Sequence, residues 1–261
     1  MEKNNKKQIM EKTSIFVTSN PVVGFINIIE EYTTVEREDL VVAEVGVYVG
    51  ATTIYSAPLV KEMKGTYLAV DWFKGSIEGV DPNGGHTSTS LPEGRDIFET
   101  FNQNMQIAGC DDIVTTYSAT TLEAAKNIPD RSLDICFIDA DHIYGAVKKD
   151  ILSYIPKIKS GGILCGHDFE PLASHFFNDI TKEELTQDYV AKIITSDHYI
   201  VSHYNKTPIN QQLIRRSNEQ FHFHPGVVKA VMELIGIENI TFRNDNVWAV
   251  RINENREFEK L

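Results

Sequence analysis

The chain has 261 residues, enough for one large domain or for one domain carrying a sizeable insertion. Hydrophobic residues make up 42% and charged residues 24%, the balance of a globular protein that is soluble in water. A formal net charge of −12 argues against non-specific attachment to nucleic acid or to an anionic membrane surface.

Residues 1–13 are charged and lack an apolar centre, so no signal peptide is expected and the cytoplasm is the expected location. No apolar run approaches the ~20 residues that a membrane span needs. Residues 25–32 have helical spacing, with Phe25, Ile26, Ile28 and Ile29 on one side, and residues 1–35 are expected to form an N-terminal helical extension. Residues 40–45 form a short apolar run ended by glycine, as suits a strand buried on both faces. Residues 52–63 read as a helix, and residues 67–71 as a second strand that ends in an acid.

Residues 75–94 are rich in Gly, Ser, Thr, Asp and Pro and read as a long loop; loops of this length in compact domains are usually functional or mobile. A helix at 95–108, a strand at 112–117, a helix at 121–126 and a strand at 133–139 follow. Then come a helix at 147–158 and a fifth strand at 162–166. Cys136 and Cys165 lie in apolar runs and Cys110 is far from both, so all three read as reduced thiols, two of them small core residues. No spacing resembles a zinc knuckle.

Strands alternating with helices imply a doubly wound, mostly parallel sheet. The pattern breaks at about residues 170–221, which read as an insertion at the active-site edge of a domain spanning 36–261. Helical spacing returns at 225–234, and residues 240–242 and 247–252 read as a closing antiparallel hairpin turned by Asn244, Asp245 and Asn246. The expected fold is therefore α/β and Rossmann-like, with a seven-stranded sheet.

In open parallel sheets, ligands sit outside the carboxyl ends of the strands. Four of the five expected strands end in residues with chemistry: Glu44, Gly46, Tyr48 and Gly50; Asp71 and Trp72; Asp139, Asp141 and His142; and His167 and Asp168. The first group is spaced E-x-G-x-x-x-G. The dinucleotide fingerprint is G-x-G-x-x-G and cradles a pyrophosphate. With bulky Tyr48 at the place of its middle glycine, the loop suits a nucleoside ligand without phosphates. Gly46 would let the backbone approach that ligand, and Asp71 would accept hydrogen bonds from two ribose hydroxyls.

Glu44, Gly46 and Gly50 followed by Asp71 and Trp72 resemble class I S-adenosylmethionine-dependent methyltransferases. The run from Phe137 through Asp139, Asp141 and His142 to Tyr144 resembles a narrower group, as do the run from Gly161 through His167 to Asp168 and the run from Pro225 to Val231. That group contains the macrocin and novobiocin-type O-methyltransferases and the cephalosporin-hydroxylase-like proteins. The resemblance covers about residues 40–169 and 223–252. It implies S-adenosylmethionine bound by Glu44, Gly46, Tyr48, Gly50, Thr52, Asp71, Trp72, Ser118, Ala119 and Asp139. Trp72 would pack beside the ribose or adenine, or belong to the core.

The resemblance also implies a divalent metal on Asp139, His167 and Asp168, magnesium in the resembling families, with manganese also compatible. Hard cations favour carboxylates. Related enzymes often carry an acid where this chain has His167, and imidazole suits manganese, iron or zinc better than magnesium. Either His167 points elsewhere or the metal is not magnesium. In the other reading these acids only orient the loop and the cofactor amine.

Transfer of methyl to oxygen needs a base, for which Asp141 and His142 are the candidates. His142 could instead contact the cofactor, and Asp141 could cap the helix that starts near Tyr144. His175, His198, His203, His222 and His224 fall in or beside the insertion and leave room for a second metal site. The expected partner is a small-molecule acceptor, such as a sugar or a natural-product intermediate; self-association is also expected. The competing functions are a hydroxylase-like relative and a binding protein without catalysis. All four of Asp139, Asp141, His142 and Asp168 are present, which argues against the last.

Overall fold

The computed structural model describes residues 16–17, 20–33, 39–75, 91, 94–169, 214–215 and 222–261. Most of the loop expected at 75–94 and of the insertion at 170–221, with His175, His198 and His203, therefore lies outside the described residues.

Short runs of Val, Ile and Leu become the middle of a sheet because their residues can bury both faces at once. Strands β1 (Val41–Val45), β2 (Thr66–Asp71), β3 (Val114–Ser118), β4 (Leu133–Ile138) and β5 (Ile158–Gly166) run parallel. All six residues of β4 are buried. Helices α1 (Val23–Thr33), α2 (Thr53–Glu62), α3 (Ile97–Ala108), α4 (Thr121–Asn127) and α5 (Tyr144–Tyr154) alternate with these strands, and α6 (Pro225–Leu234) follows. The strands β6 (Ile214–Arg215) and β7 (His222–Phe223) form a separate antiparallel pair.

The order across the main sheet is β10-β9-β5-β4-β1-β2-β3. Strands β8 (Thr241–Arg243) and β10 (Phe258–Glu259) pair antiparallel with β9 (Val247–Ile252), which itself pairs antiparallel with β5. The sheet thus has eight strands, one more than the sequence implies, because the short β10 has no pattern of its own and borrows its register from β9. Asp245 and Asn246 both have positive φ, 57° and 56°, which is what a type I′ hairpin turn requires.

The two apolar layers are built on opposite faces. One holds Val147, Ile151 and Val228 with Trp248; the other holds Phe25, Ile29, Phe101 and Phe137. The ring of Phe25 stacks on that of Phe137 at 4.2 Å between centroids, so α1 is seated in the core of the same domain. Cys110, Cys136 and Cys165 are buried free thiols.

Local chemistry sets the helix ends. Asp96 caps α3 by accepting from the Glu99 N–H, and Gly109 ends that helix in the left-handed region. Thr120 and Glu123 form a capping box on α4. Helix α5 begins three residues before the apolar spacing implies and ends at Tyr154, where Pro156 converts the last turn to a 3₁₀ helix. Strand β5 accordingly starts at Ile158 and carries an irregularity opposite Leu133–Ile135.

Candidate active site

The strand order reverses between β1 and β4, and the crevice at such a switch point is where open α/β sheets bind ligands. Three strand ends are pinned together there. The Gly46 N–H donates to the Val70 carbonyl and the Asp139 N–H to the Val45 carbonyl, each at 2.8 Å. A Cβ on Gly46 would sit 2.0 Å from the Asp139 carbonyl oxygen, and its φ is +96°. The glycine is therefore required first by the approach of β1 to β4, whatever room it leaves for a ligand. Gly50, also at positive φ, leaves space filled by Met105 and Phe101 of α3.

Glu44 points under this loop. It is 2% exposed and accepts at Oε2 from Thr53 Oγ1 at 2.7 Å and from Tyr67 Oη at 2.6 Å. Burial pushes its carboxyl up to about 8 against the pull of those two hydroxyls. Thr52 is turned toward the N-terminal segment, where its hydroxyl accepts from the Val22 N–H at 3.0 Å. Both side chains support the loop from beneath.

Asp71 joins two loops. Its Oδ2 accepts from the Tyr48 N–H at 2.8 Å and its Oδ1 from the Phe73 N–H at 2.7 Å. Burial raises its pKa, and these amides work in the opposite direction. Each oxygen has a second lone pair, so hydroxyl donors remain acceptable to it. Tyr48 itself is held at a φ of 50°, uncommon for a bulky residue. Trp72 donates through Nε1 to the Gly75 carbonyl, and Lys74 lies 5.7 Å from its ring centroid. Ser118 is exposed at the end of β3, and the Ala119 N–H donates to the Asp71 carbonyl at 3.1 Å. Two left-handed glycines and a carboxylate with spare lone pairs fit a nucleoside edge lying on this loop.

The ends of β4 and β5 bring titratable groups together. His142 Nε2 is 2.8 Å from Asp168 Oδ2 and 3.6 Å from Asp139 Oδ1. His167 Nδ1 is 3.2 Å from Asp168 Oδ1 and 3.5 Å from Asp139 Oδ2. Burial disfavours a charged His167, but the carboxylates of Asp139 and Asp168 outweigh it and hold the imidazole at about 9. His142 is raised well above its ordinary value in the same way. Conversely, the imidazoles hold Asp139 and Asp168 below the usual carboxylate range although burial acts to raise them. Asp168 adopts a φ of +57°, a left-handed conformation that re-aims the chain at the end of β5.

These contacts change what His142 can do. With Nε2 turned toward Asp168 and Asp139, that nitrogen can hold an ion together with the carboxylates as well as meet an acceptor's proton. Asp141 accepts from the Ile143 N–H at 3.0 Å, which turns the chain into α5 two residues on, though the N-cap position itself is Ile143. Asp141 and His142 both line a small cleft with Asp139, His167, Val227 and Trp248.

The sequence names His224 as one of five histidines in or beside the insertion that leave room for a second metal site, and the structure places its Nδ1 3.4 Å from Asp168 Oδ1 and its ring 4.6 Å from that of His142. The signal lies two residues on. A Cβ on Gly226 would meet the His142 carbonyl oxygen at 2.2 Å, so only glycine lets the first turn of α6 ride on the backbone of the β4–α5 loop. Lys148 and Tyr144 of α5, both bonded to Glu233 of α6, hold the two helices together further along. The donors Asp139, His167 and Asp168 lie within 4.8 Å of one another, as a shared cation requires. With two carboxylates and a buried His142 Nε2 that makes no aligned hydrogen bond, the residues fit a divalent metal.

Residues 43–169 match the family described as a methyltransferase domain. A comparison with curated proteins returns no match. Among solved structures, a provisionally assigned O-methyltransferase from Klebsiella pneumoniae is similar, with 13% identity and a TM-score of 0.51 over 96% of this chain and 89% of that one. A provisionally assigned caffeoyl-CoA O-methyltransferase from Staphylococcus aureus aligns with 14% identity and a TM-score of 0.51 over 96% and 91% of the two chains. At such identities the likeness speaks for the fold. The matched segment encloses the glycine loop, Asp71 and the ends of β4 and β5 that form the crevice. Among the described residues, no helix is long and apolar enough to cross a membrane.

Proposed function

We propose that the protein transfers a methyl group from S-adenosylmethionine to a hydroxyl of a small molecule, with a divalent metal on Asp139, His167 and Asp168. The observation that carries this reading is the meeting of Gly46 and Asp139 at the switch point, which sets the glycine loop beside the histidine–aspartate cluster. The cofactor supplies an electrophilic methyl on sulfur. A metal at the cluster would hold the acceptor oxygen and lower its pKa.

The chain's own residues do the rest. Asp71, fixed by the Tyr48 and Phe73 amides, accepts the ribose hydroxyls. Tyr48, Gly46 and Gly50 present backbone to the nucleoside, with Glu44 and Thr52 bracing the loop. Trp72, Ser118 and Ala119 flank the base. Asp141 takes the acceptor proton, leaving His142 Nε2 to face Asp139 and Asp168. The acceptor is in the class of sugars or natural-product intermediates, consistent with the resemblance of residues 137–168 to enzymes of that kind.

Calorimetry with S-adenosylmethionine, with and without EDTA, is expected to give cofactor binding in both. Absence of any heat of binding would remove the methyltransferase reading. Release of S-adenosylhomocysteine with phenolic or sugar acceptors, lost on adding EDTA, is the expected catalytic signature. An Asp168→Ala variant that keeps full turnover would rule out the metal assignment.

A further inference from the structure

Three side chains at the mouth come from three separate elements: His142 from the β4–α5 loop, Asp168 from the end of β5 and His224 from the residue before α6. One donor atom of each lies within 4.8 Å of the other two. Two donor atoms each about 2.1 Å from one ion stand about 3.0–3.5 Å apart, between octahedral and tetrahedral geometry. Asp168 Oδ1 is 3.4 Å from His224 Nδ1, within that range, and its Oδ2 is 2.8 Å from His142 Nε2, slightly closer than two ligands of one ion stand.

His142 Nε2 is fully buried and has no aligned hydrogen bond, despite the nearby carboxylate. Asp168 holds a left-handed φ of +57° at this spot, a conformation that survives where the surroundings demand it. Gly226, which admits no side chain against the His142 carbonyl, fixes His224 in range.

We propose that His142, Asp168 and His224 are ligands of a first-row transition-metal ion, in a two-histidine, one-carboxylate set that shares Asp168 with the Asp139–His167–Asp168 group. The inference rests on the metal-assisted reading in placing the ion at the same mouth, and goes beyond it in adding His142 and His224 to its ligands and in naming the metal class. Magnesium prefers oxygen donors and gives up its waters reluctantly. Imidazole nitrogens shift preference to manganese, iron, cobalt or zinc. With His167 adjacent, three imidazoles converge on two carboxylates, a donor set of transition-metal character.

The test uses the full chain stripped with EDTA and then titrated with Co²⁺, followed by visible absorption, and with Zn²⁺ and Mg²⁺ by equilibrium dialysis. The wild type is expected to bind Co²⁺ and Zn²⁺ at least tenfold more tightly than Mg²⁺, with Co²⁺ giving ligand-field bands. His224→Ala is expected to weaken Co²⁺ and Zn²⁺ at least tenfold and to change those bands, with Mg²⁺ affinity moved less. His224 makes no side-chain cap on α6, so the variant is expected to fold, and its thermal midpoint checks this. His142→Ala serves as the second variant with the same expectation. Co²⁺ and Zn²⁺ affinities within twofold of wild type in a folded His224→Ala or His142→Ala protein would overturn the proposal, as would Mg²⁺ binding equal to Co²⁺ in the wild type. Calorimetry with S-adenosylmethionine on the same stripped sample separates the two readings. Cofactor binding without Co²⁺ binding overturns the metal set alone.

Discussion

Replacing Glu44 by glutamine exchanges a buried, titrating group for a neutral one of the same shape. An acid whose folded pKa exceeds its unfolded value adds stability that is complete below the unfolded pKa and is lost as pH rises to the folded one. For Glu44 that window runs from 4.5 to about 8. At 1.36 kcal/mol per unit, the full loss across the window is about 5 kcal/mol, of which roughly 3 kcal/mol has gone by pH 7. The glutamine carbonyl can accept from Thr53 and Tyr67 as the carboxyl does. Urea unfolding of both proteins at several pH values between 5 and 8 reads the difference directly, since the other titrating groups are common to both. The variant should gain on the wild type by about 1 kcal/mol per pH unit, being no more stable at pH 5 and clearly more stable at pH 8. Parallel stability curves would refute the buried-acid reasoning.

Asp71→Asn removes the charge from the acceptor that bridges the two loops and is expected to weaken S-adenosylmethionine binding about 10- to 100-fold, the worth of a charge-assisted hydrogen bond; calorimetry giving an affinity within twofold would exclude the ribose role. Gly46→Ala drives a Cβ to 2.0 Å from the Asp139 carbonyl oxygen and is expected to cost at least ~3 kcal/mol. For a chain of this size that lowers the thermal midpoint by about 6–12 °C, and an unchanged midpoint would contradict the tight β1–β4 approach.

Much of this architecture is legible in the chain. The apolar runs give β1, β2, β4 and the buried half of β5, because burial on both faces leaves no other use for residues such as Ile135 and Phe137, whereas the part-exposed edge strand β3 follows from the alternation of strands and helices. The turn at Asn244–Asn246 is visible for the same kind of reason, since left-handed backbone selects its residues. What local pattern cannot show is direction. Glu44 stands in the loop motif, yet its carboxyl turns inward to Tyr67, a partner 23 positions away. His142 has the ordinary credentials of a base, and its Nε2 turns out to face two carboxylates from different strand ends, which no local pattern shows. His224 shows in the sequence only as one of five histidines open to a second metal site, because its place beside Asp168 depends on a glycine fitting against a carbonyl in another loop. β10 is missed because two residues carry no periodicity.

The seat of α6 on the β4–α5 loop also has a consequence in time. The glycine loop, Asp71 and the paired acids are all synthesised by Asp168, whereas His224 and the antiparallel strand that flanks Cys165 come later. At translation rates of about 5–20 residues per second, the intervening chain delays His224 by several seconds. A nascent chain that has completed β5 can therefore form the cofactor half of the crevice while β5 still has an open edge and Asp168 lacks one of its imidazoles. The histidine-rich mouth comes together only once residues 222–261 have folded back onto the sheet.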